Sequence, residues 1–563
     1  MGTMIIDDRK VEFNGEKNVL EVVRKAGIDL PTFCYYSELS LYGACRMCIV
    51  EDDRGKIFTS CSQIPRDGMK IYTNTPRLRK YRKVILELLL SNHDRDCTAC
   101  NITGRCDLQS LARRFGIDKI RFKENQHRLP IDDSSYGIVR NPNKCIYCGD
   151  CVRVCEEVQG VAALSFTHRG ANIKISPAFD RKIGEVNCVS CGQCRTVCPT
   201  GAITVKDNRE DFWNVIGDKT KRVVVQIAPA VRVALGERFG LPTGEITIGK
   251  IVAALKMIGV DEVYDTAFAA DMTVIEESNE FLERLTNGEN LPLFTSCCPG
   301  WVSFAENRYP ELENNISSCK SPQQMFGAVI KEYYKDKDKE DGKETIMVSI
   351  MPCTAKKAEA AREEFQRDGI RDVDIVITTQ ELARMIKEAG IVFEELEDES
   401  FDMPFGLASG SGVIFGSTGG VSEAVVTRLL KDKPDHLDKD VIFKNVRGME
   451  DIKEAIFNIE GKEVRVAIVH GLKSADKLVK HIKSGERHYD FVEVMACKGG
   501  CIAGGGQPAP VDINMRRDRA KGLYKIDRTS FIKSSEYNPL VTSLFDGLLK
   551  DKKDLIHVHK DRK

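Results

Sequence analysis

The sequence predicts a multidomain protein, α+β at the front and α/β behind, and three observations lead there. The chain has 563 residues, room for roughly three to five domains. It carries 21 cysteines, fifteen before residue 200 and six after it. Beyond residue 210, short β-rich runs alternate with helical patterns, as parallel α/β units require.

Composition narrows the partners. Lys plus Arg total 83 against 84 Asp plus Glu, a net charge of −1, so nothing calls for nucleic acid. Hydrophobic residues at 42% and charged residues at 30% fit a globular chain. No 18-residue apolar run occurs, so no membrane span is expected. The opening MGTMIIDDRK lacks a signal peptide's apolar core. Cysteines at this density, without a secretory signal, point to metal in a reducing cytoplasmic setting.

Met4–Phe13 alternates like a strand pair with a turn signal at Asn14-Gly15, and Val19–Ala26 is helical in pattern. Cys34, Cys45, Cys48 and Cys61 follow in a small ferredoxin-like module. A CxxC pair on a tight loop, kept small by Gly43 and Ala44, lets two soft thiolates converge. This set predicts a 2Fe–2S cluster, with a four-cysteine zinc site as the plainer alternative. His93, Cys97, Cys100 and Cys106 could hold zinc or a 4Fe–4S cluster, and neighbouring clusters favour the latter. One imidazole among three thiolates removes a negative charge and shifts the potential.

CIYCGDCVRVC supplies Cys145, Cys148, Cys151 and Cys155, and CVSCGQCRTVCP supplies Cys188, Cys191, Cys194 and Cys198. Tandem CxxCxxCxxxC runs are the two-cluster ferredoxin signature, in which each run's fourth cysteine ligates the other cluster. Cys198 is therefore expected with Cys145, Cys148 and Cys151, and Cys155 with Cys188, Cys191 and Cys194. Two departures stand out: Cys155 precedes Glu156 rather than proline, and 32 residues separate the runs. The expected domain bounds are 1–78, 79–123, 124–209 and 210–563.

Four clusters make an electron wire, and a wire needs a terminus. RVVVQIAP, LPLFTSCC, TIMVSIMPC, DIVITT, GVIFGSTGG, VRVAIVHG and DFVEVMAC read as strands. Ligands collect beyond the carboxyl ends of parallel strands. Ala228-Pro229, Cys297-Cys298, Met351–Cys353, Phe415–Gly420 and Met495–Cys501 should therefore surround one site. FGSTGG lacks the P-loop lysine and GxGxxG order, so it is not read as a nucleotide loop.

TSCCPGW at 295–301, MPCTAKKAEA at 351–360 and EVMACKGGCIAGGGQP at 493–508 resemble the three signature motifs of FeFe hydrogenases. Residues 4–550 are similar throughout to the monomeric clostridial type. The resemblance implies ferredoxin-like accessory domains followed by a two-lobed α/β hydrogenase domain with the active site between lobes. It implies one 2Fe–2S cluster, three 4Fe–4S accessory clusters and an H-cluster. The last is a 4Fe–4S cubane joined to a two-iron subsite with CO, cyanide and azadithiolate. Cys298, Cys353, Cys497 and Cys501 match the cubane ligands, Cys501 bridging to the subsite. Lys356 matches the lysine facing a cyanide. Met351, Met495, Phe415, Gly416 and Pro322 match the walls, with Ser321 and Gln323 in the same stretch. Ala230, after Ala228 and Pro229, stands where the family can have serine, which removes one side-chain hydrogen bond to cyanide.

The resemblance also implies a proton route: Cys297, then Glu277, Ser317, Glu280 and, at the surface, Arg284. A thiol with an ordinary pKa of roughly 8.5 can give and take a proton near neutrality, and spacings of three and four put the charged residues on one helix face. The plainer readings are a small apolar cysteine and a solvated face with one ion pair. The implied activity is reversible conversion of two protons and two electrons to dihydrogen. Ferredoxin or flavodoxin would exchange electrons, and maturation proteins would install the subsite in a cytoplasmic monomer. Alternatives are a non-catalytic electron-transfer protein, which the three motifs count against, and an assembly protein, which would lack Cys297 or the Lys356 motif. Cys319 is expected to pack in the core, YKDKDKEDGKE at 334–344 to form a solvated loop, and KDKKDLIHVHKDRK only to keep the C-terminus soluble.

Overall fold

The computed structural model describes residues 1–123, 128–430, 439 and 441–558. The front module is a five-stranded sheet in the order Arg9–Phe13, Gly2–Ile6, Lys70–Tyr72, Ile49–Asp52, Ile57–Thr59. Its first hairpin turns at Asp7-Asp8, both at positive φ, which the short Asp side chain tolerates. Asn14-Gly15, the turn expected from the sequence, instead leads toward the helix Val19–Lys25, capped by Asn18.

Helix Pro76–Ser91 carries the chain to His93. Pro76 opens it, and Thr75 accepts from the Leu78 amide. Its buried Arg82 donates to the carbonyls of Met47, Ile49 and Thr73, which fixes this helix against the first module. The two ferredoxin runs lie between the paired strands Ile138–Arg140 and Ile203–Val205. The insertion between them folds as a hairpin, Ser165–Thr167 with Lys174–Ser176.

The rear region is built on two four-stranded sheets. One is wholly parallel, ordered Glu262–Asp265, Lys221–Ile227, Glu344–Met351, Ile375–Thr378. Val223, Val224, Val225 and Ile227 are buried on both faces, as central parallel strands require. The other is ordered Leu293–Phe294, Phe491–Met495, Lys462–His470, Ile452–Ile459, with only the last strand antiparallel. These sheets are the two expected lobes, and their carboxyl ends carry the signature motifs. Helix Thr266–Asn287 starts at an Asp265 cap and ends at Gly288 in the left-handed region.

Three further expectations are corrected. GVIFGSTGG is not a strand: Gly410–Val413 is helical and Ile414–Gly416 is a 3-10 turn. Ser409 caps it by accepting from the Gly412 amide, and a short apolar run cannot by itself separate buried strand from buried helix. The 334–344 run is mostly not a loop, since helix Pro322–Asp341 includes residues 334–341. Asp338 holds the end of that helix by accepting from Arg222 and the Thr345 amide. The tail is not a free solubiliser: Leu555, Ile556 and Val558 are buried. Residues 556–558 run antiparallel to 318–320 through Lys320 N–H to Ile556 O and Val558 N–H to Ser318 O. Residues 559–563, with the tail's second histidine, lie outside the described residues.

Candidate active site

The thiols of the first front set lie close together in pairs. Cys34 interacts with Cys45, and Cys48 with Cys61. Backbone amides approach the sulfurs, Cys45 N–H to Cys34 Sγ at 3.3 Å and Phe33 N–H to Cys45 Sγ at 3.4 Å. His93 is buried and its Nδ1 lacks a partner. Burial, then Lys144, pushes its pKa down to about 4, which keeps the imidazole in the neutral form a metal takes. Cys106, of the same set, shares one core with Cys34, Cys45 and Cys148. Cys100 Sγ lies so near Gly201 that a Cβ there would stand 2.7 Å from it; Cys97 is partly exposed.

The fourth thiol of each ferredoxin run stands near the first three thiols of the other run. Cys198 acts electrostatically on Cys145, Cys148 and Cys151, while Cys155 acts on Cys188, Cys191 and Cys194. Tyr147 and Ala163 amides donate to Cys145 and Cys155 at 3.4 and 3.3 Å. Among the described residues no three His, Cys, Asp or Glu side chains share a single-ion geometry. Thiolates with surrounding amide donors suit clusters, whose bodies hold their ligands apart.

The four rear thiols come from both lobes. Cys353 follows the strand Glu344–Met351, Cys298 follows Leu293–Phe294, and Cys497 and Cys501 follow Phe491–Met495. Cys298 and Cys353 act on both Cys497 and Cys501, and the Ala496 amide lies 3.4 Å from Cys298 Sγ. Cys191 of the ferredoxin region also acts on Cys497. Gln193 Nε2 donates to Cys497 Sγ at 3.2 Å and to Ala503 O at 3.0 Å. The glycine run makes this contact close: a Cβ on Gly505 would stand 2.5 Å from Cys191 O, and one on Gly504 2.2 Å from Pro352 O.

The walls gather where the motifs meet. Met495, Phe415, Cys297 and Cys501 share one core, and Met351 is buried at its strand end. Gly416 presses on Ala230, whose carbonyl accepts from Gln507 Nε2 at 2.8 Å. Ala228 and Pro229 begin the 3-10 turn that positions Ala230. Lys356 is buried, its Nζ 2.9 Å from Glu359 Oε2 and 3.2 Å from Cys297 O. Ser321 and Gln323 also donate to Glu359, at 3.0 and 3.1 Å, and Pro322 starts the helix that carries Gln323. Gln323 Oε1 is buried without a partner. A buried ammonium beside four thiols makes a set that fits an anionic multi-iron group.

Glu277, Glu280 and Arg284 lie on helix Thr266–Asn287. Glu277 is fully buried, with the Ser317 hydroxyl and the Ser296 amide facing its carboxylate. Burial, then Glu280, pushes its pKa up to about 8, with the Ser317 hydroxyl opposing. It is also the charged group acting most strongly on Cys297. Ser317 Oγ donates to Glu280 Oε2 at 2.9 Å. Arg284 is not at the surface as expected. It is 7% exposed, and it pairs with Glu280 and donates to the carbonyls of Asn290, Asn314, Asn315 and Ile316. The guanidinium folds back onto those carbonyls and Glu280 instead of reaching solvent. Cys319 is buried in the core, as expected, with its Sγ 3.9 Å from Glu280.

Sequence reasoning missed Gln193 and Glu359. Gln193 sits inside CVSCGQC, and Glu359 lies three residues after Lys356, a spacing that signals an intrahelical ion pair.

A chain that threads a series of thiolate sets toward a buried centre between two α/β lobes is an iron–sulfur oxidoreductase. Residues 221–505 match the iron-only hydrogenase large subunit, C-terminal domain. Residues 3–76 match a 2Fe–2S cluster binding domain, 82–121 the NADH-ubiquinone oxidoreductase-G iron–sulfur binding region, and 139–202 a 4Fe–4S dicluster domain. The NADP-reducing hydrogenase subunit HndD of Solidesulfovibrio fructosivorans is 40% identical, over 99% of this chain and 98% of that protein. Iron hydrogenase 1 of Clostridium pasteurianum is 37% identical over 97% and 96%. A solved variant of the apo FeFe hydrogenase HydA1 from Chlamydomonas reinhardtii covers 63% of this chain and 98% of its own, at 37% identity and TM-score 0.55. The chain belongs to the FeFe hydrogenases and acts on dihydrogen. Among the described residues no helix is long and apolar enough to cross a membrane.

Proposed function

We propose that Cys298, Cys353, Cys497 and Cys501 hold the cubane of the H-cluster, and that the fifteen front cysteines with His93 hold one 2Fe–2S and three 4Fe–4S clusters. The observation that carries this reading is the junction at Cys497, where the last accessory set and the rear thiols meet through Gln193. When bound, the six-iron centre supplies the place where dihydrogen is made or split.

The chain's own residues do the rest. Lys356, fixed by Glu359, presents a positive charge to the anionic face of the group, and Gln323 Nε2 helps hold Glu359 in place. Cys297 exchanges a proton at Sγ with the centre and with Glu277, whose raised pKa lets it hold that proton near neutrality. Ser317 hands it to Glu280. Apolar walls at Phe415, Met495 and Met351 exclude bulk water. Electrons reach the centre through the ferredoxin runs. The 2Fe–2S and His-ligated sets both adjoin Cys148, so either can accept electrons from a soluble ferredoxin or flavodoxin. Cys297 and Lys356 disfavour an assembly role, and the complete rear donor set disfavours a purely electron-carrying one. We place the protein in the cytoplasm, with dedicated maturation proteins loading the subsite.

Metal analysis of anaerobically matured protein tests this: about 20 irons per chain, from clusters of two, four times four, and two, together with hydrogen evolution from reduced methyl viologen. Full iron without hydrogen evolution contradicts the assignment of the rear set.

A further inference from the structure

Three regions of the chain bring arginines to one place. Arg105 comes from the His93 set, Arg195 from the second ferredoxin run, and Arg238 and Arg384 from the rear region. Arg105 Nη1 and Arg238 Nη2 donate to the same oxygen, Gln380 Oε1, at 2.9 and 3.0 Å. Gln380 is buried, and its Nε2 donates to Gln507 O at 2.8 Å, which turns Oε1 toward the two guanidinium groups. Arg195 donates to the carbonyls of Gly505 and Gln507, and Arg384 donates to Asn101. Two cavities, of about 430 and about 670 Å³, both reach Arg105, Arg238, Arg384 and Gln380, and the first also reaches Arg195.

Among the described residues no carboxylate pairs with Arg105, Arg195 or Arg238. The oxygens they reach are all uncharged amides or carbonyls, and Arg238 Nε is buried without a partner. Nearby acids are engaged elsewhere: Asp207 with Arg209, Glu237 with Arg519, and Glu381 with Lys357. Arg384 comes only within 4.0 Å of the already paired Asp207. Asp107 lines the first cavity but pairs with none of these arginines. Burial, then Arg105 and Arg195, pull the Arg238 pKa down to about 9, the opposite of what a carboxylate partner does.

Guanidinium groups this close repel one another, so gathering them without a counter-ion costs stability. Their planar forks match the oxygens of a phosphate. We propose that these arginines and Gln380 form a binding site for a doubly charged oxyanion of the phosphate class, set between the accessory domains and the hydrogenase domain. A dianion fits better than a single carboxylate, because two guanidinium groups converge on one point and two more border the same spaces. The first cavity also has room for an organic group carried on the phosphate. Cys198 borders that cavity and Cys100 the second, so the charge of an occupant falls on two accessory sets.

The test titrates fully matured protein anaerobically with inorganic phosphate and, separately, with adenosine monophosphate. Each is compared with sodium chloride at matched ionic strength, and the thermal midpoint is followed. Wild type should show a saturable rise of about 2 °C at a hundredfold excess over half-saturation. Tighter half-saturation by phosphate assigns the site to the free anion, and by the nucleotide to a phosphate ester. Arg105→Gln and Arg238→Gln should lose the rise at unchanged iron content. Arg238→Lys, which keeps the charge but not the fork, should need several-fold more phosphate. A wild-type midpoint that follows ionic strength alone overturns the inference, since the arginines would then only balance cluster charge. A rise undiminished in both glutamine variants overturns it too. So does a response to poly-glutamate without one to phosphate, which would make the occupant an acidic protein segment.

Discussion

Gln193 Nε2 and Cys497 Sγ are 3.2 Å apart, one hydrogen bond joining the second ferredoxin run to a thiol of the buried centre. An N–H donor to a cluster sulfur stabilises the more negative, reduced state. Gln193→Leu should therefore lower the reduction potential of the cubane, read by potentiometric titration with EPR detection, and slow turnover several-fold at unchanged iron content. An unchanged potential would mean that the contact only packs.

Glu277 carries a second prediction, through its burial. Its folded pKa of about 8 lies above the ordinary carboxyl value of roughly 4.3. The stability it supports is fully present below that ordinary value and is lost as pH rises toward 8, at about 1.4 kcal/mol per unit. Glu277→Gln, neutral at every pH, should lose turnover yet gain stability over wild type as pH rises, by a few kcal/mol near pH 8. Denaturant midpoints across pH check this, and a gap that narrows with rising pH contradicts it.

For Arg284 the structure predicts a stability defect. Arg284→Ala strands a partly buried Glu280 and four carbonyls, a loss of about 3 kcal/mol in urea unfolding. A surface proton antenna would cost activity and leave stability alone.

His93, with its orphaned Nδ1, carries a proposed ligand role. His93→Ala should reduce bound iron by about four atoms per chain while leaving the 2Fe–2S spectrum intact. Unchanged iron content would remove it from the ligand set.

The iron–sulfur domains were legible because thiolate spacing is local: a CxxC loop is a geometric unit, and the front matches 2Fe–2S and 4Fe–4S dicluster domains. The strand ends were legible for the same reason, since Ile227, Met351 and Met495 each close an apolar run. What failed depended on tertiary context. GVIFGSTGG is as apolar as a strand, but Gly410 and Gly412 let it press on Asp527 and Ala267 as a helix. The charged 334–341 stretch stays helical because Arg222 and Thr345 hold Asp338. Arg284 was read as exposed because its carbonyl partners lie at 290 and 314–316. The tail's role rests on pairing with residues some 240 positions earlier, which no local pattern records.

The central claim, that Cys297 passes protons to a hydrogen-producing centre built on its neighbour Cys298, is tested most directly by hydrogen evolution from reduced methyl viologen. The comparison is fully matured wild type against Cys297→Ala at equal iron content. Active wild type with a variant slowed by at least about 100-fold, the scale of a lost acid–base group, is the predicted result. Full activity in the variant would contradict it.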